Sequence, residues 1–159
     1  MDKQTRTNAD IIPYTSEYAR NVLSWIDSED TLYAVCRSKN YPPPDTLIDT
    51  WQRKDVTSYL MSTRGKVVAY GELWNRPLEL AVEIAHLIVD PYKRGEGYGS
   101  MMLDLLYSRA AARDNVAKVV IHLFHEDPEA LGCFVKAGFE IQGTTTYTQG
   151  LKLVRLVEP

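Results

Sequence analysis

No run of apolar residues in this chain approaches the roughly 20 needed to cross a bilayer, so a membrane-spanning protein is not expected. The opening stretch, residues 1–9, is polar and lacks the apolar centre of a secretory signal. Cysteine is scarce. Only Cys36 and Cys133 occur, and neither stands at zinc-ligand spacing with the three histidines. No metal site is expected, and the expected state is reduced thiols in a cytoplasmic protein. Basic charge is not in excess either: 18 Lys and Arg against 21 Asp and Glu give a formal net charge of −3. That balance argues against a broad nucleic-acid-binding face. Repeats, linkers and low-complexity segments are also lacking. What is present is an ordinary globular composition, 45% hydrophobic and 25% charged over 159 residues, which suits one domain with a sizeable core.

The chain is organised around residues 82–100, VEIAHLIVDPYKRGEGYGS. A long apolar strand runs into Asp90-Pro91, then into Arg94-Gly95-Glu96-Gly97-Tyr98-Gly99, and an apolar helix is expected from about Ser100. Glycines at alternate positions leave the backbone bare just where a helix opens, with an arginine in front of them. Free N–H groups and the positive end of a helix dipole make such a place a ready site for a pyrophosphate.

Residues 9–14 read as an edge strand, because Pro13 removes a ladder donor. Thr15 or Ser16 caps a helix with Tyr18, Val22, Trp25 and Ile26 on one face. Pro42, Pro43 and Pro44 exclude regular structure from residues 37–44. Asp45 then caps a second helix that turns Leu47, Ile48 and Trp51 inward. Residues 57–63, 66–74 and 78–89 form three sequential antiparallel strands. Residues 100–113 follow as a helix, and residues 116–124, apolar on both faces, as an interior strand. Asp127-Pro128-Glu129 starts another helix, which Gly138 ends, and residues 139–147 and 151–157 make a terminal hairpin. The order β-α-α-β-β-β-α-β-α-β-β describes a single α/β domain with a mixed sheet.

Two glycine-rich nucleotide motifs fail on spacing. A Rossmann fingerprint needs a third glycine where Ser100 stands and an acid where the next strand offers Val119, Val120 and Ile121. A P-loop needs Gly-Lys followed by Ser or Thr, which is missing. Val89-Asp90-Pro91 followed by Arg94-Gly95-Glu96-Gly97-Tyr98-Gly99 instead resembles the acetyl-CoA motif of the GNAT superfamily of N-acetyltransferases, Arg/Gln-x-x-Gly-x-Gly/Ala after a strand often ending Val-Asp-Pro. Asp127-Pro128-Glu129-Ala130 and Phe134-Val135-Lys136-Ala137-Gly138-Phe139 are similar to the family's later Asn-x-x-Ala and Tyr-x-Lys-x-Gly-Phe segment. The element order also matches the family fold, so the likeness covers nearly the whole chain.

The resemblance implies one GNAT-like domain over residues 1–159. Its mixed, mostly antiparallel sheet would hold a splayed central parallel strand pair and be flanked by about four helices. The splayed pair would be residues 78–89 and 116–125, with the pantetheine arm of acetyl-CoA wedged between them. Leu87, Ile88 and Val89 would pair with that arm through their backbone. The amides of Arg94, Gly95, Glu96, Gly97, Tyr98, Gly99 and Ser100 would hold the pyrophosphate, and Arg94 would add charge. Asp127 and Phe134 stand at the family's cofactor-side asparagine and tyrosine positions. The partner implied is a small-molecule or peptide amine, not nucleic acid or membrane, and a homodimer is left open.

Acetyl transfer makes three demands. The amine must lose its proton, since free lysine and α-amino groups titrate near about 10.4 and 8. An oxyanion needs a donor, for which a strand N–H near Leu87 would serve. The departing CoA thiolate benefits from a proton. Glu83 is the expected base: it lies six residues before Val89, where many family members carry a catalytic glutamate. By strand alternation His86 falls on the opposite face and reads as a packed strand histidine. The usual tyrosine acid is replaced by Phe134, which has no proton to give, and Cys133 is about 100° further round the helix. His125 is the candidate replacement, with water as the other source. Phe134 also favours an alternative, a non-catalytic acyl-CoA-binding regulator. Trp25, Tyr41, Trp51, Trp74 and Tyr147 are aromatic candidates for the acceptor side. Glu72 and Glu79 near Glu83 would suit a cationic amine.

Overall fold

The computed structural model describes residues 9–124, 127–144 and 150–158. Its elements are β1 (Asp10–Pro13), α1 (Ala19–Ser24), α2 (Glu29–Cys36), α3 (Leu47–Thr50), β2 (Val56–Thr63), β3 (Lys66–Arg76), β4 (Ala81–Val89), α4 (Tyr98–Ala111), β5 (Lys118–Leu123), α5 (Pro128–Lys136), β6 (Glu140–Thr144) and β7 (Leu151–Leu156). The sheet runs in the order β1-β2-β3-β4-β5-β7-β6. Among the described residues only β4 and β5 pair in parallel, and the other neighbours are antiparallel. Among the described residues no helix is long and apolar enough to cross a membrane.

Two main cores cover the two faces of this sheet, with Ala81, Val120 and Val154 as a third, small cluster. On one face α4 buries Met102, Leu103, Leu106 and Ala110 against Met61, Ala69, Leu73, Val82 and Ile84. Helical spacing of those α4 residues gives the apolar stripe, and strand alternation gives its counterpart. On the other face Val22, Trp25, Ile26, Leu32, Ile48 and Trp51 from the α1–α3 segment pack on Leu60, Tyr70 and Ile88. Gly71 lets α4 come close: a Cβ there would lie 2.6 Å from Leu106 Cδ1.

Several boundaries differ from those read off the sequence, each for a local reason. A helix not read from the sequence follows the first one. Ser28 accepts a hydrogen bond from the Thr31 amide at 3.1 Å and opens α2, so the described residues hold five α-helices rather than about four. Asp45 is not a cap; Thr46 takes that position before the single-turn α3 and makes no side-chain cap bond. β4 starts only at Ala81, because Pro77–Glu79 form a 3-10 turn. α4 begins earlier than expected, at Tyr98, behind Gly97 in the left-handed region at φ 88°. The expected start and stop of α5 both hold: Asp127 accepts from the Ala130 amide at 3.1 Å, and Gly138 has φ 95°. β7 inserts beside β5, which leaves β6 at the sheet edge.

Candidate active site

The parallel pair comes apart where a ligand would enter. Pairing runs from Ala81↔Lys118 to Ile84↔Ile121 and stops, although β4 continues to Val89 and β5 to Leu123. The cause is a β-bulge. Glu72 faces Ala85 and Tyr70 faces Ile88, so β4 carries one extra residue between them. His86 adopts a left-handed φ of 48° to accommodate it. A bulge bends its strand, and β4 turns away from β5 over Ala85–Val89, leaving backbone on that edge without a strand partner among the described residues.

At the wide end of this wedge stands the glycine-rich loop. Asp90 accepts a hydrogen bond from the Tyr92 amide at 2.9 Å and closes the turn Pro91–Lys93. Gly95 and Gly97 then take φ of 80° and 88°, conformations that side chains resist. Within α4 the first backbone bond is from the Met101 amide to the Gly97 carbonyl, so the amides of Tyr98, Gly99 and Ser100 have no helical acceptor. Those donors, with the dipole behind them, suit a pyrophosphate. The Tyr98 side chain is buried in the core, so it offers the loop only its amide. Arg94 donates to the Trp25 carbonyl at 3.3 Å and lies 3.7 Å from Asp27. Ser100 Oγ lies 3.0 Å from Cys133 Sγ, which sets α5 against the start of α4.

At the narrow end, on the face away from α4, is a cleft of about 300 Å³ lined by Arg76, Glu79, Glu83, Val120, His122 and Lys152. The register brings these together, since Trp74 faces Glu83, Glu83 faces Val120, and His122 faces Lys152. Glu83 is only 7% exposed. Arg76 Nη2 donates to its Oε1 at 3.2 Å, and His122 Nε2 lies 3.8 Å from the same oxygen. The Arg76 guanidinium sits over the Trp74 ring, 5.3 Å from its centroid. Sequence reading missed His122 because it saw β5 as wholly apolar. A histidine inside such a strand was the available signal.

A second polar cluster lies behind the bulge. Glu72 is fully buried. Its Oε1 accepts from Trp74 Nε1 at 2.7 Å and from His86 Nδ1 at 2.9 Å, while the Tyr70 hydroxyl donates to Oε2. Gln52 Nε2 donates to the Tyr70 oxygen at 3.0 Å, and Ser58 Oγ donates to Gln52 Oε1 at 2.8 Å. Burial, then the adjacent Glu72 carboxylate, push the Tyr70 hydroxyl well above the ordinary tyrosine range, so it stays a donor. His86 stacks on Trp51 with centroids 3.9 Å apart. Alternation put His86 on the face opposite Glu83, and this is overturned: the bulge rotates it onto the face of Glu72 and Glu83. Glu72 is also not available to a cationic acceptor, because protein donors already fill its oxygens.

The remaining candidates separate cleanly. Glu79 lines the cleft. Trp25 and Trp51 are core, Trp74 is a Glu72 donor, and Tyr41 is exposed. The Leu87 side chain turns toward α4, within 3.4 Å of where a Gly71 Cβ would lie, and Phe134 packs against the same core. His125 and Tyr147 lie outside the described residues.

Comparisons with known proteins agree with this fold. The model of the Acetyltransferase (GNAT) family matches residues 21–139. No curated protein matches the chain significantly. Among solved structures, a spermidine N-acetyltransferase from Vibrio cholerae in complex with CoA and spermine superposes with a TM-score of 0.80 at 13% identity, covering 95% of this chain and 96% of that one. An aminoglycoside acetyltransferase in complex with coenzyme A gives 0.77 at 17% identity, with 93% and 94% covered. The ribosomal-protein-S18-alanine N-acetyltransferase from Escherichia coli gives 0.68 at 14% identity, with 95% of each chain covered. At these identities the likeness is one of fold.

Proposed function

The chain belongs to the acetyltransferase (GNAT) family, and we propose that it transfers an acetyl group from acetyl-CoA to a primary amine by direct attack, with Glu83 as base. The observation that carries this reading is the placement of the buried Glu83 beside the wedge that opens past Ile84↔Ile121. Pantetheine would lie along Leu87, Ile88 and Val89 as a substitute strand. The amides of residues 94–100 would take the pyrophosphate, with Arg94 leaving Asp27 to join them. Glu83 takes the proton of the amine, and the freed nitrogen attacks the thioester carbonyl. The Leu87 N–H stabilises the resulting oxyanion in a site that β4 has already built. Collapse expels the CoA thiolate as the attacking nitrogen, left positively charged, releases a second proton to water. Phe134 has no proton to offer, so the thiolate takes one from His125 or from water.

Two measurements test this. Acetyl-CoA should raise the melting temperature of the wild type, and Gly97→Trp, which fills the loop, should abolish the rise. CoA release measured against amino acids, polyamines, aminoglycosides and N-terminal peptides should identify an acceptor, on which Glu83→Gln should lower kcat at least 100-fold. Unchanged turnover in that variant would remove Glu83 from the mechanism. Cofactor binding with no turnover on any amine would favour the non-catalytic regulator.

A further inference from the structure

The cleft beside Glu83 carries a charge pattern that goes beyond a generic amine site. Of its six lining residues, Arg76, Lys152 and His122 are basic and Glu79 and Glu83 are acidic. One of the two carboxylates, Glu83, is already paired with Arg76. A polycationic acceptor would bring its charges against two fixed cations and the imidazole, with Glu79 the one lining carboxylate that no ion pair occupies among the described residues. Like charges inside a half-enclosed cleft repel at short range with little screening. The volume, about 300 Å³, is at the small end for ligand sites and fits a compact acceptor.

Arg76 and Lys152 are placed to act together. Lys152 pairs with His122 across β5 and β7, so it projects on the Glu83 face of the sheet, two residues along β5 from the Glu83 neighbour Val120. Lys152 has no ion-pair partner among the described residues. Arg76 gives Glu83 a single N–H, from Nη2, and its plane is steadied over Trp74. A guanidinium has five donors in a planar fork that matches a carboxylate, so most of its capacity is unspent.

We propose that the acceptor carries a carboxylate beside its primary amine, the carboxylate held by Arg76 and Lys152 while the amine meets Glu83. This rests on the acetyltransferase reading above and narrows its substrate class to small amino acids. The incoming carboxylate competes with Glu83 for Arg76, so the same group that gives affinity draws the guanidinium away from the Oε1 of the base. Arg76 is thus a specificity-determining residue and the acetyl chemistry itself is unchanged.

The test compares matched acceptors: a set of L-amino acids, the same compounds as α-amides, the corresponding decarboxylated amines, and spermidine. Initial rates are followed by CoA release at saturating acetyl-CoA. The expected result is a kcat/KM for the best amino acid at least tenfold above its amide and its decarboxylated amine. In Arg76→Gln and in Lys152→Met that ratio should fall toward one, with the loss mainly in KM. Because the ratio is internal to each variant, a general loss of activity does not imitate it. Acetylation of spermidine or of the decarboxylated amines at rates equal to or above the amino acids would overturn the inference and leave the acetyltransferase reading standing. An unchanged ratio in both variants would overturn it too. If acetyl-CoA binds but no acceptor is turned over, the acetyltransferase reading falls and this inference with it.

Discussion

Glu72 on β3 and His86 on β4 are joined by a 2.9 Å hydrogen bond that exists only because β4 bulges at His86. The same extra residue ends the β4–β5 pairing and opens the wedge. A buried carboxylate with three protein donors therefore pins the feature on which the site depends. Its removal should be felt in both stability and activity.

In Glu72→Ala, the Tyr70 hydroxyl, Trp74 Nε1 and His86 Nδ1 lose a buried acceptor together. The cost should be about 3–5 kcal/mol, a fall in Tm on the order of 10 °C. Glu72→Gln keeps the shape and one acceptor oxygen and should cost about 1–2 kcal/mol. Thermal melts of both variants check the ranking, and equal losses would mean that volume, not hydrogen bonding, holds the bulge.

Tyr70 gives the network a signature at high pH. Its folded value is raised above the ordinary 10.0 by burial and by Glu72. Below the unfolded value of 10.0 both folded and unfolded chains keep the proton, and the contribution to stability is complete. Above it the unfolded chain releases the proton while the folded chain holds it, so the unfolded state gains and stability falls as pH rises. Urea midpoints from pH 8 to 11.5 should therefore decline less steeply above pH 10 in Tyr70→Phe than in the wild type.

Gly71 sits across from the bulge, where a Cβ would lie 2.6 Å from Leu106 Cδ1, itself fully buried. Gly71→Ala should cost about 1–3 kcal/mol by overpacking. It should also lower kcat, because the displacement of Leu106 is passed on to Leu87, which lines the same spot at a contact distance of 3.4 Å and whose amide is the proposed oxyanion donor. A variant with reduced Tm but wild-type kcat would separate Gly71 from the chemistry.

Arg94 is held on Asp27 and the Trp25 carbonyl. The pyrophosphate proposed for the glycine loop would draw it away. Asp27→Asn should therefore tighten acetyl-CoA binding, but only roughly two- to fivefold, because the pair is half exposed and screened. Titration calorimetry at low and high salt should show the gain shrinking as salt rises.

The family resemblance singled out Glu83, while the sequence by itself determined most of the helices and strands and the glycine loop. These are local properties. Apolar spacing, Pro13, Asp127 and the alternate glycines each act through their own stretch of backbone, so they can be read one segment at a time. The helix Glu29–Cys36 escaped because the apolar spacing was followed only to Ile26 and Ser28 was not read as a cap. Only the tertiary structure decided what lies near Glu83. Arg76, His122 and Lys152 come from β3, β5 and β7 and meet through strand register, which no single segment encodes. The face of His86 was undecidable for a sharper reason: one extra residue in β4, taken up by a left-handed backbone with no glycine to announce it, reverses an alternation that is otherwise strict.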